Sequence, residues 1–108
     1  MVIDDVWIEA LKQRVCGIFF KGNAVLIPRN DVDGFLDWIE PRRALLGAEG
    51  FKYESGKRIP LTECIIDYSY GDPSRSVELH RRVITAEPGW KKADFIEFVL
   101  AKPAEARR

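Results

Sequence analysis

Apolar residues recur at helical spacing in two parts of the first half of the chain. Residues 3–15 carry such a stripe, with acidic residues near its start and basic residues near its end, as the helix dipole prefers. Residues 31–46 carry a second stripe, which Asn30 or Asp31 can cap. Pro41 should interrupt that second helix, because proline clashes with the preceding turn, although it can also begin a short continuation. The pattern predicts helices at 3–15 and 31–46.

Strand patterns lie between and after these helices. Two short apolar runs flank the Gly-Asn pair at residues 22–23, which suits a tight hairpin turn. A second hairpin is predicted to turn at residues 55–56, with a longer arm at 59–70. Residues 77–83 alternate between apolar and polar side chains, which favours a third antiparallel arm over a helix. Residues 90–101 then predict a C-terminal helix.

This order of elements predicts one α+β domain over residues 1–108. Its two layers are a mainly antiparallel sheet of four to five strands and helices at 3–15, 31–46 and 90–101. The length of 108 residues suits one domain, and 46% hydrophobic with 31% charged residues is typical of a soluble globular protein. Lysine plus arginine equals aspartate plus glutamate at 17 each, so no bulk charge favours nucleic acid or an anionic membrane.

The two cysteines, Cys16 and Cys64, are too few for a disulfide framework and too isolated for a zinc site. Both have apolar neighbours, so we expect buried, reduced thiols and no metal or other cofactor. The start "MVIDDVWIEALK" carries two acids where a signal peptide would be basic, and no apolar run approaches membrane-spanning length. These features predict a cytoplasmic protein that uses no membrane.

His80 is the single histidine, so a Ser/His/Asp or Cys/His arrangement would need it as the base. On the predicted third strand it would face Ile65, with Asp67 diagonal to it, which favours a structural role. The alternative is a small enzyme or nucleic-acid-processing protein that uses His80 with Arg81 or Arg82. We expect no enzyme, because the sequence contains no catalytic or phosphate-binding motif, and the scattered basic doublets predict no direct nucleic-acid binding.

Tyrosines and acids are concentrated around the second hairpin. Tyrosine is enriched at protein interfaces, and carboxylates add charge complementarity that orients a partner. In the opposing interpretation the tyrosines cover the edge of the core and the acids protect a sheet edge from aggregation. A third interpretation is a regulatory domain whose strand edge pairs with a copy of itself, giving a homo-oligomer. The predicted partner-binding residues are Glu49, Tyr53, Glu54, Glu63, Asp67, Tyr68, Tyr70 and Asp72.

The stretch "LLGAEGFKYESGKRIPLTECIIDYS" resembles the immunity protein 40 family, among the small α+β immunity proteins of bacterial polymorphic toxin and contact-dependent inhibition systems. In that family a helix leads through a Leu-Gly turn into a strand, a Gly-bearing turn and a polar strand that ends in aromatic and acidic residues. The corresponding pieces here are Leu46-Gly47, residues 51–53, Gly56 and residues 64–68. The resemblance implies a bacterial cytoplasmic protein that binds a cognate toxin domain and blocks it.

Overall fold

The computed structural model describes residues 4–21 and 24–102, which form three α-helices and five β-strands. The helices are α1 (Asp5–Lys12), α2 (Val32–Ile39) and α3 (Ser76–Ala86). The strands are β1 (Phe19–Lys21), β2 (Ala24–Pro28), β3 (Leu45–Glu54), β4 (Lys57–Asp67) and β5 (Phe95–Leu100). They make one sheet in the order β1-β2-β5-β3-β4, with every neighbouring pair antiparallel. The predicted α+β fold with a mainly antiparallel sheet of four to five strands is confirmed, and the sheet has five.

Short-range sequence signals explain where the first two helices begin and end. The side chain of Asp4 caps α1 by accepting a hydrogen bond from the backbone N–H of Val6 at 3.0 Å. The buried residues of α2 are spaced three and four apart, which puts them on one side of the helix; they are Val32, Phe35, Leu36 and Ile39. The helix ends two residues before Pro41, where the N–H groups of Arg42 and Arg43 turn back to the carbonyl oxygen of Ile39.

All three helices pack on the same face of the sheet. The main core joins helix residues such as Trp7, Phe35 and Val77 to strand residues such as Ile66 and Ile96. The ring of Phe35 stacks on Trp7 at 5.3 Å between centroids and contacts Phe98 at 5.2 Å. A second, smaller cluster of Ala24, Leu26, Phe51 and Phe95 contains strand residues only. It lies on the opposite face, which no helix of the described residues covers.

The prediction for the C-terminal third was wrong in both of its elements. Residues 76–86 form α3 and not a third hairpin arm, since burying Ser76, Val77 and His80 needs helical spacing. Residues 90–101 form no α-helix: Pro88–Lys92 is a 3₁₀ turn, and β5 follows it. The two errors exchange a strand for a helix, so the fold class is unchanged.

The second predicted helix is shorter than expected, and both predicted hairpins form. Residues 40–46 do not continue α2, because β3 already begins at Leu45. The β3–β4 hairpin turns at Ser55 and Gly56, which have φ of 51° and 76°, the left-handed conformation that glycine adopts at no cost. In the first hairpin β1 pairs with β2, and its predicted turn at residues 22–23 lies outside the described residues.

The middle of β4 bulges away from β3. Glu49 pairs with Ile65, but the next pair is Phe51 with Pro60, so Gly50 alone faces residues 61–64. A Cβ atom at Gly50 would lie 2.7 Å from the Cβ of Cys64, so a side chain there would collide with the bulge. Where β4 rejoins the regular register, Cys64 is buried in the core with Ile66, and Ile65 lies on the opposite face with 58% of its surface exposed.

Candidate protein-docking face

The sheet face opposite the helices, which we call the open face, carries one continuous row of side chains across all five strands. Successive residues of this row are direct cross-strand partners, and partners project from the same side of a sheet. From β1 to β4 the row consists of Phe19, Leu26, Glu97, Glu49 and Ile65. It places two carboxylates at its centre and an exposed apolar side chain at each end.

Aromatic rings from three strands meet on the open face. Phe95 of β5 contacts Phe19 of β1 at 5.5 Å and Tyr53 of β3 at 5.2 Å between ring centroids. Phe19 and Tyr53 also pack edge to face at 6.0 Å, although β2 and β5 lie between their strands. The three rings therefore form one cluster that spans β1 to β3. The ammonium of Lys21 lies 5.9 Å from the centroid of the Tyr53 ring.

Charged groups are arranged unevenly on the same face. Glu49 and Glu97 are direct cross-strand partners, and the guanidinium of Arg58 lies over the Phe51 ring at 4.3 Å. Arg58 Nη1 is 3.6 Å from Glu97 Oε1, which is an ion pair but too long for a hydrogen bond. Burial raises the pKa of the Glu97 carboxyl and Glu49 raises it further, although Arg58 acts in the opposite direction.

The structure brings part of the predicted partner-binding set onto the open face. Glu49, Tyr53 and Asp67 project from it, as their pairing with Glu97, Arg58 and Gly47 shows. Asp67 is exposed, and its carboxylate accepts two hydrogen bonds from Ser69, which lower its pKa. The other acids on the hairpin are placed differently.

Glu54 and Glu63 do not join this group. Glu54 is exposed at the β3–β4 turn. Glu63 lies in the bulge against Gly89, where a Cβ atom would be 2.6 Å from its Cγ. Gly89 belongs to the 3₁₀ turn that precedes β5, and its neighbour Trp90 is buried in the main core. Glu63 therefore packs toward the helix-bearing side of the molecule.

The remaining predicted residues lie beyond the end of β4. Tyr68 donates a hydrogen bond from its hydroxyl to the carbonyl oxygen of Asp72 at 3.0 Å, and its ring packs edge to face on His80. The carboxylate of Asp72 accepts hydrogen bonds from the backbone and hydroxyl of Ser74 and so caps the turn before α3. Tyr70 is fully exposed. Tyr68 and Asp72 thus have structural contacts of their own, separate from the open face.

The predicted set omits several residues of the open face, among them Phe19, Ile65, Phe95 and Glu97. Phe95 and Glu97 were missed because residues 90–101 were interpreted as a helix. The alternation in "FIEFVL" was the available signal, since a strand there puts Phe95, Glu97 and Val99 on one face.

His80 lies away from the open face and has no contact with solvent. Its Nδ1 is 2.7 Å from the carbonyl oxygen of Ser76, one helical turn earlier, and its ring contacts Tyr68 and Phe98. Burial lowers the pKa of this imidazole, which favours the neutral form, although the nearby carbonyls of Ser76 and Gly47 oppose the shift. Because the side chain is enclosed, it is not placed to contact a substrate.

A second surface feature is a groove of about 420 Å³ beside α2 and α3. Arg29, Arg81 and Lys91 line it, together with apolar residues of both helices. Arg81 is already bound by two carboxylates, those of Asp33 and Asp37. Its charge is therefore largely neutralised within the protein.

Within residues 4–21 and 24–102, no three histidine, cysteine, aspartate or glutamate side chains are grouped so that they could hold a metal ion. None of the helices in this part of the chain is long and apolar enough to cross a membrane.

Comparisons with protein-family models, with curated proteins and with solved structures find nothing that matches this chain.

Proposed function

We propose that this protein is a bacterial immunity protein that binds a cognate toxin domain through the open face of its sheet and thereby neutralises it. The observation that carries the proposal is the uncovered aromatic and aliphatic surface on that face. Phe19, Ile65 and Val99 are 43%, 58% and 53% exposed, and Phe19 contacts the partly buried rings of Tyr53 and Phe95. Exposed apolar patches with a polar border are typical of protein interaction sites.

The sheet supplies a rigid platform for such an interaction. The aromatic cluster is fixed by contacts among rings from three strands, so little side-chain freedom remains to be lost on binding. Tyr53 is the one tyrosine of the predicted set on this platform, and Glu49 and Asp67 are its acids. The proposal therefore keeps these three residues and adds Phe19, Phe95 and Ile65 from the same face.

The resemblance of residues 45–69 to the immunity protein 40 family gives the proposal its functional class. β3, the β3–β4 turn and β4 account for nearly all of that segment. In this proposal the protein acts in the cytoplasm, binds protein rather than nucleic acid, and needs no cofactor. Neutralisation follows if the bound protein covers the active site or the substrate groove of the toxin.

Co-expression with the toxin domain encoded beside this chain's gene tests the proposal. Growth of cells that produce the toxin should be restored by the wild-type chain. Ile65→Asp should abolish this rescue, because it puts a charge at the exposed apolar end of the row. Ile8→Asp is the matched control, since Ile8 is 39% exposed on α1, far from the open face.

Circular dichroism and thermal unfolding of both variants establish that each one folds. Calorimetry with the purified toxin domain then gives the affinity directly. Rescue by the Ile65→Asp variant with undiminished affinity would show that the open face is not the binding surface. Failure of the wild-type chain to bind the toxin domain would overturn the proposed function itself.

A further inference from the structure

Glu49 and Glu97 break a general rule of sheet construction. Like charges on directly opposed residues destabilise a sheet, and these two are cross-strand partners on the neighbouring strands β3 and β5. Both are only partly exposed, and their neighbours in the row are Leu26 and Ile65, which bring no compensating charge. Departures of this kind from local rules are expected mainly at functional sites.

Among the described residues, Arg58 is the cation that pairs with a member of this carboxylate pair, and it compensates their charge incompletely. Arg58 lies 3.6 Å from Glu97, and its Nη1 is enclosed without making a hydrogen bond to any residue in the described part of the chain. The guanidinium is held over the ring of Phe51 instead. Two carboxylates therefore share a single, poorly directed positive charge. Within residues 4–21 and 24–102, one negative charge of this group is left without a counter-charge at the centre of an apolar surface.

We propose that this carboxylate pair receives a lysine or arginine side chain of the bound protein, with the surrounding aromatic rings contacting the apolar part of the same partner surface. This inference rests on the proposed function, because it specifies the chemistry of the partner on the open face. A cation between the two carboxylates balances their charge, and its aliphatic stem fits against Phe95 and Ile65. Basic residues flanked by apolar ones are the chemistry that this face selects.

Short synthetic peptides provide the probe. Acetyl-Leu-Lys-Leu-Lys-Leu-amide presents alternate cationic side chains on an extended backbone, and the same peptide with glutamate in place of lysine reverses the charge. Carbon-13 NMR of the side-chain carboxyls at low salt should show the Glu49 and Glu97 signals moving with the lysine peptide. The glutamate peptide should bind more weakly than the lysine peptide, by a factor of up to about five, as expected for the loss of an exposed ion pair.

Substitutions test whether Glu49 and Glu97 cause the preference for the lysine peptide. Glu49→Gln combined with Glu97→Gln should remove the preference for lysine while leaving the aromatic contacts. Glu54→Gln is the matched control, because Glu54 is exposed at the turn of the same hairpin, and this variant should bind both peptides like the wild type.

Equal binding of the two peptides would overturn the inference, as would the absence of any shift at Glu49 and Glu97. Self-association of the protein that is abolished by Ile65→Asp would also overturn it, because a second copy would then be the occupant. These failures are distinct from failure of the proposed function. If the peptides show no preference but Ile65→Asp still abolishes toxin neutralisation, only the cationic partner chemistry is wrong.

Discussion

Arg43 and Asp4 form an ion pair that joins the start of α1 to the segment between α2 and β3. The same guanidinium donates a hydrogen bond to the carbonyl oxygen of Ala101 at 2.6 Å, just beyond β5. The Arg43 side chain is 7% exposed. One nearly buried cation therefore holds three parts of the chain together.

Replacing Arg43 with methionine should lower the free energy of unfolding by about 2 kcal/mol, because a carboxylate and a carbonyl lose their charged donor. Urea unfolding at pH 7 measures this. Arg82→Met is the control: Arg82 is exposed on α3, and its loss should change stability by less than about 0.5 kcal/mol. Equal unfolding midpoints for the two variants would contradict the structural role of Arg43.

His80 should make the stability of the fold depend on pH. Burial lowers the pKa of His80 below its ordinary value of 6.5, so the unfolded chain binds a proton before the folded one does. Stability should therefore fall as the pH drops below about 6.5, until the pH reaches the folded-state pKa. Neutral His80 is the form that the core accommodates.

Urea unfolding of the wild type and of His80→Leu at pH 7 and pH 5 tests this expectation. Leucine does not titrate, so the variant should lose less stability than the wild type between the two pH values. The carboxylates titrate in both proteins, and the comparison removes their contribution. An identical loss in the two proteins would mean that His80 does not resist protonation in the fold.

Glu97 should have the opposite effect on the pH dependence. Its pKa is raised above the ordinary 4.5, first by burial, so the folded state binds its proton before the unfolded chain does. Stability from this group should therefore rise as the pH falls from neutrality through the folded-state pKa. At pH 7 the ionised Glu97 destabilises the free protein.

Glu97→Gln should accordingly be more stable than the wild type at pH 7, and the difference should shrink as the pH approaches 4.5. Thermal unfolding across this pH range measures both effects. Glu54→Gln, at an exposed position of the hairpin turn, should follow the wild type throughout. A Glu97→Gln variant that is less stable than the wild type at pH 7 would show that Arg58 compensates the carboxylate fully.

Local sequence patterns predicted the first two-thirds of the fold well. The apolar stripe of α2 and the turn at Ser55 and Gly56 depend on neighbours within a few residues, so their signals are direct. Residues 76–86 carry both an alternating and a helical pattern. Ser76 and His80 are four residues apart and both are buried, which requires a helix. Their burial depends on contacts with the rest of the fold, which the local pattern does not show.

The candidate site was harder to predict, because the open face is assembled from strands distant in sequence. Glu49 was identified from its hairpin, but Glu97, its cross-strand partner, lies 48 positions later. Only the strand order, with β5 between β2 and β3, brings them together. Tyr68 illustrates the opposite error. The concentration of tyrosines around the hairpin predicts that it contacts a partner, but in the structure its hydroxyl and ring make contacts within the protein.

The position of β5 in the sheet also determines when the molecule can fold. The two hairpins, β1–β2 and β3–β4, are joined only through residues 95–100, which are made after both of them. Before these residues are synthesised, a nascent chain can form at most two separate two-stranded hairpins, each with an unpaired inner edge. Isolated hairpins of this kind are only marginally stable in water. The five-stranded sheet can therefore be completed only after residues 95–100 are synthesised, and until then the inner edges of both hairpins are open to pairing with other strands.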